Sequence, residues 1–204
     1  ADETVIQTGL EVSFARQAID QLIRQAQLPV LPSNRPKLLV WIVRDDALMG
    51  RGFIGDYSVS DSSVTEISED AEAVLQAFDQ AMKQRGMPYQ LPNFDLQDQL
   101  SLSVNEAWSL RADLIGPASE RYQTDGWIAL RFYTTSTGEV RGAWLYQSAG
   151  RGQLNDFRAL AGEEFMATAV DSLVDSLARA YTYVPQLNTN ELLVQISGVD
   201  SFKK

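Results

Sequence analysis

A chain of 204 residues, set against the roughly 100–200 residues of an ordinary domain, can form one sizeable domain, and its 45% hydrophobic and 9% aromatic content supplies a real core. The formal net charge of −10 disfavours nucleic acid as a partner, because backbone binding needs clustered Lys and Arg that displace counterions. With no histidine and no cysteine in the chain, disulfides, His or Cys metal sites, thiol nucleophiles and every His-based dyad or triad are excluded.

No apolar run approaches the ~20 residues of a spanning helix, so no transmembrane segment is expected. The opening ADETV lacks the basic head and apolar centre of a signal peptide. Lack of cysteine fits either redox compartment.

Residues 9–14 (GLEVSF) alternate as a short strand, with Leu10, Val12 and Phe14 on one side. Ser13 is placed to cap a helix over residues 15–27, whose apolar side is Ile19, Leu22, Ile23 and Ala26 and which Pro29 stops. Residues 35–46 (RPKLLVWIVRDD) come next. Leu38 to Val43 run apolar without alternation, the pattern of a strand covered on both faces. Together these form a strand–helix–strand unit, residues 9–46, of parallel-crossover length.

Residues 47–67 are rich in Gly, Ser and Asp and read as a flexible loop, pairing weakly at most as a sheet edge. Ser68 is a candidate cap for a helix over residues 69–85 with Val74, Leu75, Phe78, Ala81 and Met82 as its stripe; Gly86 and Pro88 end it. Residues 89–92 are a short extended piece ended by Pro92. Ser103 and Glu106 have capping-box spacing and open a short helix through Trp108 and Leu110; Gly116-Pro117 breaks it, with Pro117 starting another turn up to Tyr122.

From Trp127 the period becomes two. Ile128, Leu130 and Phe132 face one way, and Trp127, Ala129, Arg131 and Tyr133 the other. A turn at residues 136–138 returns the chain over residues 140–147, and a third antiparallel run is expected over residues 153–160. Residues 162–183 form the best helix in the chain, with Met166, Val170, Leu173, Val174, Leu177 and Tyr181 inward and Asp171 and Asp175 on the polar side. Residues 191–198 (ELLVQISG) complete the set as a strand. This order predicts a single α/β domain over residues 1–204, of α+β character: a mixed sheet flanked by helices, with an antiparallel meander and long helix over residues 127–184.

Three segments together resemble the bacterial family known as Domain of Unknown Function 2066: NRPKLLVWIV at residues 34–43; RGMP at 85–88 with Leu91-Pro92 and DLQD at 95–98; and ASERY at 118–122 with Asp125. The hairpin containing Ala143, Trp144 and Leu145 fits as well. The resemblance implies no activity and no catalytic residues. It does imply an exported, periplasmic protein of the Gram-negative cell envelope, normally carrying a signal peptide and further sequence on both sides, so that this chain is a trimmed piece.

Several signals bear on chemistry. Residues 50–55 (GRGFIG) match GxGxxG after a strand, yet the residues beyond Gly55 do not open a helix, so a glycine loop is the favoured reading and no cofactor is expected. Asp45 and Asp46 at the strand tip could converge with Asp95 and Asp98 on Mg²⁺ or Ca²⁺. Turn and helix capping by the same residues is favoured, because no calcium-loop spacing with a terminal Glu is present. Arg35 and Arg121 are expected near carboxylates such as Asp95 or Asp125, as ion pairs rather than anion sites. Trp127, Tyr133, Trp144 and Tyr146 are either a partner surface or the floor beneath the long helix.

The favoured reading is a non-catalytic envelope domain whose partner is a protein. The alternative is a small-ligand or Mg/Ca-dependent enzyme using the acidic end of the central strand.

Overall fold

The computed structural model describes residues 12–56, 65–148, 150–160 and 164–185. They fall in two compact units, one formed by residues 1–32 with 182–204 and the other by residues 33–181.

In the first unit, α1 (Arg16–Gln25) begins at Ala15 without a side-chain cap, so Ser13 does not cap it. Residues 12–14 form no strand, and residues 9–11 of the expected strand lie outside the described residues. The helix ends before Pro29 is reached. Gln27 takes a positive φ, and Leu28 N–H bonds to Ile23 C=O while Gln27 N–H bonds to Arg24 C=O, so a Schellman closure rather than proline stops it. Val30 and Tyr183 form an antiparallel bridge.

The second unit is an α/β fold: a mixed sheet with helices on both faces. Among the described residues the sheet has six strands: β1 (Leu38–Asp46), β2 (Gly50–Phe53), β3 (Tyr89–Gln90), β4 (Gly126–Thr134), β5 (Val140–Ser148) and β6 (Arg151–Ala159). The order is β2-β1-β4-β5-β6, with β3 also paired to β1. β1 is parallel to β3 and β4 and antiparallel to β2, and β4, β5 and β6 pair with one another as an antiparallel meander.

Leu38 to Val43 are 0–1% exposed, as the unbroken apolar run requires. Leu39, Trp41 and Val43 pack under α3 (Leu96–Ser101), α4 (Val104–Trp108) and α5 (Ala112–Glu120), against Leu102, Ala107, Ile115 and Ala118. The alternate residues share the face on which Phe132 meets Phe165 of α6 (Phe165–Tyr181), ring centroids 4.9 Å apart. Arg85 joins α6 to α2 (Thr65–Gln84) by pairing with Asp171 and Asp175.

Three local expectations are corrected. The 50–55 glycine stretch is not a mobile loop; residues 50–53 are the edge strand β2, whose pairing with β1 supplies the backbone bonds that a loop lacks. Ser68 lies inside α2, which starts a turn earlier, at Thr65. Pro117 lies inside α5 rather than opening a new turn. Burial of Ile115, Ala118 and Ser119 holds α5 through the one amide donor that Pro117 lacks, and the real break is at Leu110, φ +53°. The 191–198 strand and residues 162–163 of the long helix lie outside the described residues.

Other endings agree closely with the sequence. Gly86, φ +62°, closes α2 with Met87 N–H on Met82 C=O and Gly86 N–H on Lys83 C=O. Ser103 and Glu106 make the reciprocal capping box. The buried Trp41 indole N–H donates to Ser119 Oγ at 3.0 Å, and that hydroxyl donates to Ile115 C=O at 2.7 Å, fastening α5 to β1.

Gly142 tests the packing of the meander. A Cβ there would stand 2.3 Å from Phe157 Cζ and 2.5 Å from Arg131 O, whereas one at Gly152 would find nothing nearer than 3.8 Å. Gly142→Ala is expected to lower the unfolding free energy by about 1–3 kcal/mol, the usual cost of overpacking, and Gly152→Ala to leave it nearly unchanged, both read from urea denaturation.

Candidate functional site

The sheet register brings together residues that are distant in sequence. Arg51 pairs with Asp45, Asp45 with Tyr133, Tyr133 with Arg141 and Arg141 with Arg158. Because paired residues point to the same face, these five form one row across the sheet. The adjacent row is Phe53, Val43, Arg131, Ala143 and Asp156, and the next contains Trp41, Ala129, Leu145 and Leu154. This is the face that α3, α4 and α5 cover at Trp41 and Ala129.

Toward the far ends of β4, β5 and β6 the covering stops. A groove of about 670 Å³ remains, lined by Trp108, Arg131, Tyr133, Arg141, Asp156 and Arg158, with Ala143 in the floor. Trp108, at the end of α4, forms its wall. The Arg51 and Arg131 guanidinium carbons lie 4.8 and 5.3 Å from the Trp108 ring centre. Arg131 also donates to the Trp108 carbonyl at 2.8 Å, and Arg51 donates to Asn105 Oδ1 and Asp45 Oδ2 at 3.1 Å each. These contacts fix the indole rigidly at the groove edge.

Three arginines thus face one aspartate in a chain that is strongly acidic as a whole. Arg141 is paired with Glu139 at 2.8 Å. Arg158, exposed and directly opposite Arg141, makes no hydrogen bond or ion pair among the described residues. Tyr133 is 40% and Leu154 58% exposed.

Among the residues singled out from sequence, Asp45 and Asp46 lie in the β1–β2 hairpin. Asp45 pairs with Arg51; Asp46 accepts from the Leu48 and Met49 N–H groups at 2.9 and 3.1 Å and pairs with Arg44. Those two backbone bonds, chiefly, lower the Asp46 pKa. Asp95 and Asp98 lie at the start of α3. Asp95 is its N-cap, and Arg121 grips Asp95 through both terminal nitrogens at 2.7 Å each while reaching Asp98 at 2.9 Å.

Asp98, 1% exposed, also accepts from Phe94 N–H at 2.8 Å and from the Tyr122 hydroxyl. Burial, then that bond, pushes the Tyr122 pKa up to about 12, so it remains a donor at neutral pH. Arg35 lies over Gly86 and donates to the Arg85 carbonyl. Asp125 accepts from Lys37 N–H at 2.8 Å. Among the described residues no three acids gather as a metal site, and no helix is long and apolar enough to cross a membrane.

The hairpin aromatics divide between the two faces. Trp144 and Tyr146 belong to the α6 face, where the Tyr146 and Tyr181 hydroxyls are 3.2 Å apart, and Trp127 is buried under α5. Only Tyr133 of the four is exposed.

The fold and groove define an α/β domain with an open, basic and aromatic sheet surface. No family profile and no curated protein matches the chain. Among solved structures, the LpoB C-terminal domain from Salmonella enterica is 13% identical with a TM-score of 0.31, covering 69% of this chain and 93% of its own. An uncharacterized protein is 10% identical with a TM-score of 0.26, covering 76% and 95%. Lipoprotein GNA1162 from Neisseria meningitidis is 14% identical with a TM-score of 0.25, covering 71% and 99%. Similarity this low carries no argument about function.

The Asp95–Arg121 bridge makes a pH prediction. Arg121 first, and then the Asp98 N–H, hold the Asp95 carboxyl well below the ordinary carboxylate range. The unfolded chain therefore takes up this proton at a higher pH than the folded one. The stability involved is complete above about pH 4 and is lost as pH falls through that value toward the folded pKa. The melting-temperature deficit of Asp95→Asn is expected to be constant near neutrality and to shrink progressively below about pH 4; a deficit unchanged down to about pH 2 would contradict the assignment.

Proposed function

We propose that this chain is a non-catalytic protein-interaction module of the cell envelope, and that it binds its partner through the groove over β4, β5 and β6. The observation that carries the reading is the composition and setting of that groove. Trp, Tyr and Arg are the side chains that dominate binding energy at protein interfaces, and here Trp108, Tyr133, Arg141 and Arg158 border one open cleft on a rigid sheet. Trp108 and Arg131 are already held in place by their mutual contacts, so little ordering remains to be done on binding.

The acidic end of β1 supports the same reading. Asp45 and Asp46 are engaged by Arg51, Arg44 and the hairpin backbone, which is the work of turn caps. The envelope location rests on the resemblance of residues 34–43, 85–98 and 118–125 to an exported family.

Photo-crosslinking tests the proposal. With a photoreactive phenylalanine at Tyr133, cells that make the protein are expected to yield discrete protein adducts. The same probe at Leu100, which is 80% exposed on α3, is expected to yield none of them. Identical adducts from both positions, or none from Tyr133, would defeat the groove as the interaction site.

A further inference from the structure

We propose that the groove recognises an acidic segment of its partner protein, one carrying Asp or Glu beside an aromatic or leucine side chain. This rests on the interaction reading above and gives that partner its chemistry. Arg141 and Arg158 are directly opposite across β5 and β6. Like charges in that position are destabilising in an isolated sheet. Glu139 offsets Arg141, whereas Arg158 has no counter-charge in contact among the described residues.

A carboxylate held between the two guanidinium groups removes the repulsion and forms charge-assisted hydrogen bonds, for which the planar arginine fork is well shaped. Tyr133, next to Arg141 in the same row, offers the apolar contact on one side. Leu154, 58% exposed on the same face of β6 beyond Asp156, extends the apolar surface next to the groove. Asp156 lies in the same groove and Glu139 pairs with Arg141, so two carboxylates stand against three arginines and the groove keeps a net positive charge.

The rest of the molecule narrows the ligand class. Its net charge of −10 repels an extended polyanion or an anionic bilayer, each of which meets many charges at once. A short acidic segment meets only the local arginines, since more distant charges are screened beyond about 10 Å at 0.1 M salt. The binding is accordingly expected to weaken as salt is raised.

Selection of a random peptide display library on the whole protein tests this. Enriched peptides are expected to carry at least two acids flanking an aromatic residue or leucine. They should bind the Arg158→Glu variant at least about tenfold more weakly, by ~1.4 kcal/mol, with Arg158→Lys intermediate. Arg158 is exposed and without a contact partner among the described residues, so the variant should fold normally, with an unchanged or raised melting temperature.

Enriched peptides without acids, still competing at Tyr133, would overturn the charge inference while leaving the interaction reading intact. Failure to enrich any peptide that depends on Tyr133 would count against both. Vesicles of phosphatidylglycerol that bind the protein in an Arg158-dependent way, with no peptide enriched, would replace the peptide by a lipid headgroup and overturn the proposal.

Discussion

The architecture depends on one constraint: six consecutive residues of β1 have essentially no contact with solvent. A strand of this kind needs apolar cover on both faces and hydrogen-bonding partners along both edges, since unpaired backbone groups in such a setting are costly. Leu39, Trp41 and Val43 demand one layer, which α3, α4 and α5 provide. The alternate residues demand the other, on the side of α6. Trp41 adds a polar requirement to the apolar one, because a buried indole N–H must find an acceptor. Ser119 meets it and so fixes where α5 crosses the strand.

The same constraint explains why one part of the sheet is open. The three short helices are centred over β1 and the start of β4, the most apolar part of the molecule. Among the described residues the cluster beneath them takes in Leu145 of β5 and nothing from β6. The uncovered rows consequently carry Arg131, Tyr133, Arg141, Asp156 and Arg158 instead of aliphatic residues, and Trp108 at the margin of the covered part faces both environments. Around α3, by contrast, charge is used for fastening. Arg121, Asp95, Asp98 and Tyr122 saturate one another and the neighbouring backbone. Partners satisfied internally have little left for a ligand, whereas Arg158 lines the groove with no ion pair or hydrogen bond among the described residues.

Much of the fold was legible in the sequence because its signals are local. The unbroken run at Leu38 to Val43, the capping box at Ser103 and Glu106 and the apolar stripe of α6 each depend on residues within a few positions of one another. The period of two at Trp127 correctly placed Arg131 and Tyr133 on a common face. The groove itself was not legible. Arg51, Trp108, Arg141 and Arg158 come from four elements; the pairing register of β1, β2, β4, β5 and β6 aligns the arginines, and contacts with Arg51 and Arg131 bring Trp108 to them. The edge strand β2 was legible only as a weakly pairing edge within a loop, for a related reason: Gly50-Arg-Gly has weak strand propensity, and its order comes from bonds to β1. Pro117 illustrates the opposite failure, a strong local signal overruled by the burial of its neighbours.

In the proposed reading the open ends of β4, β5 and β6 form the working surface of this domain. Backbone amide NMR of the protein titrated with an acidic peptide selected on it is the sharpest test of that surface. Shift changes are expected to concentrate at residues 131–133, 141–143 and 154–158 and at the Trp108 indole, with the α3 amides and the β1–β2 turn unmoved. Changes centred on α3 or on Asp45 and Asp46, with the groove silent, would contradict it.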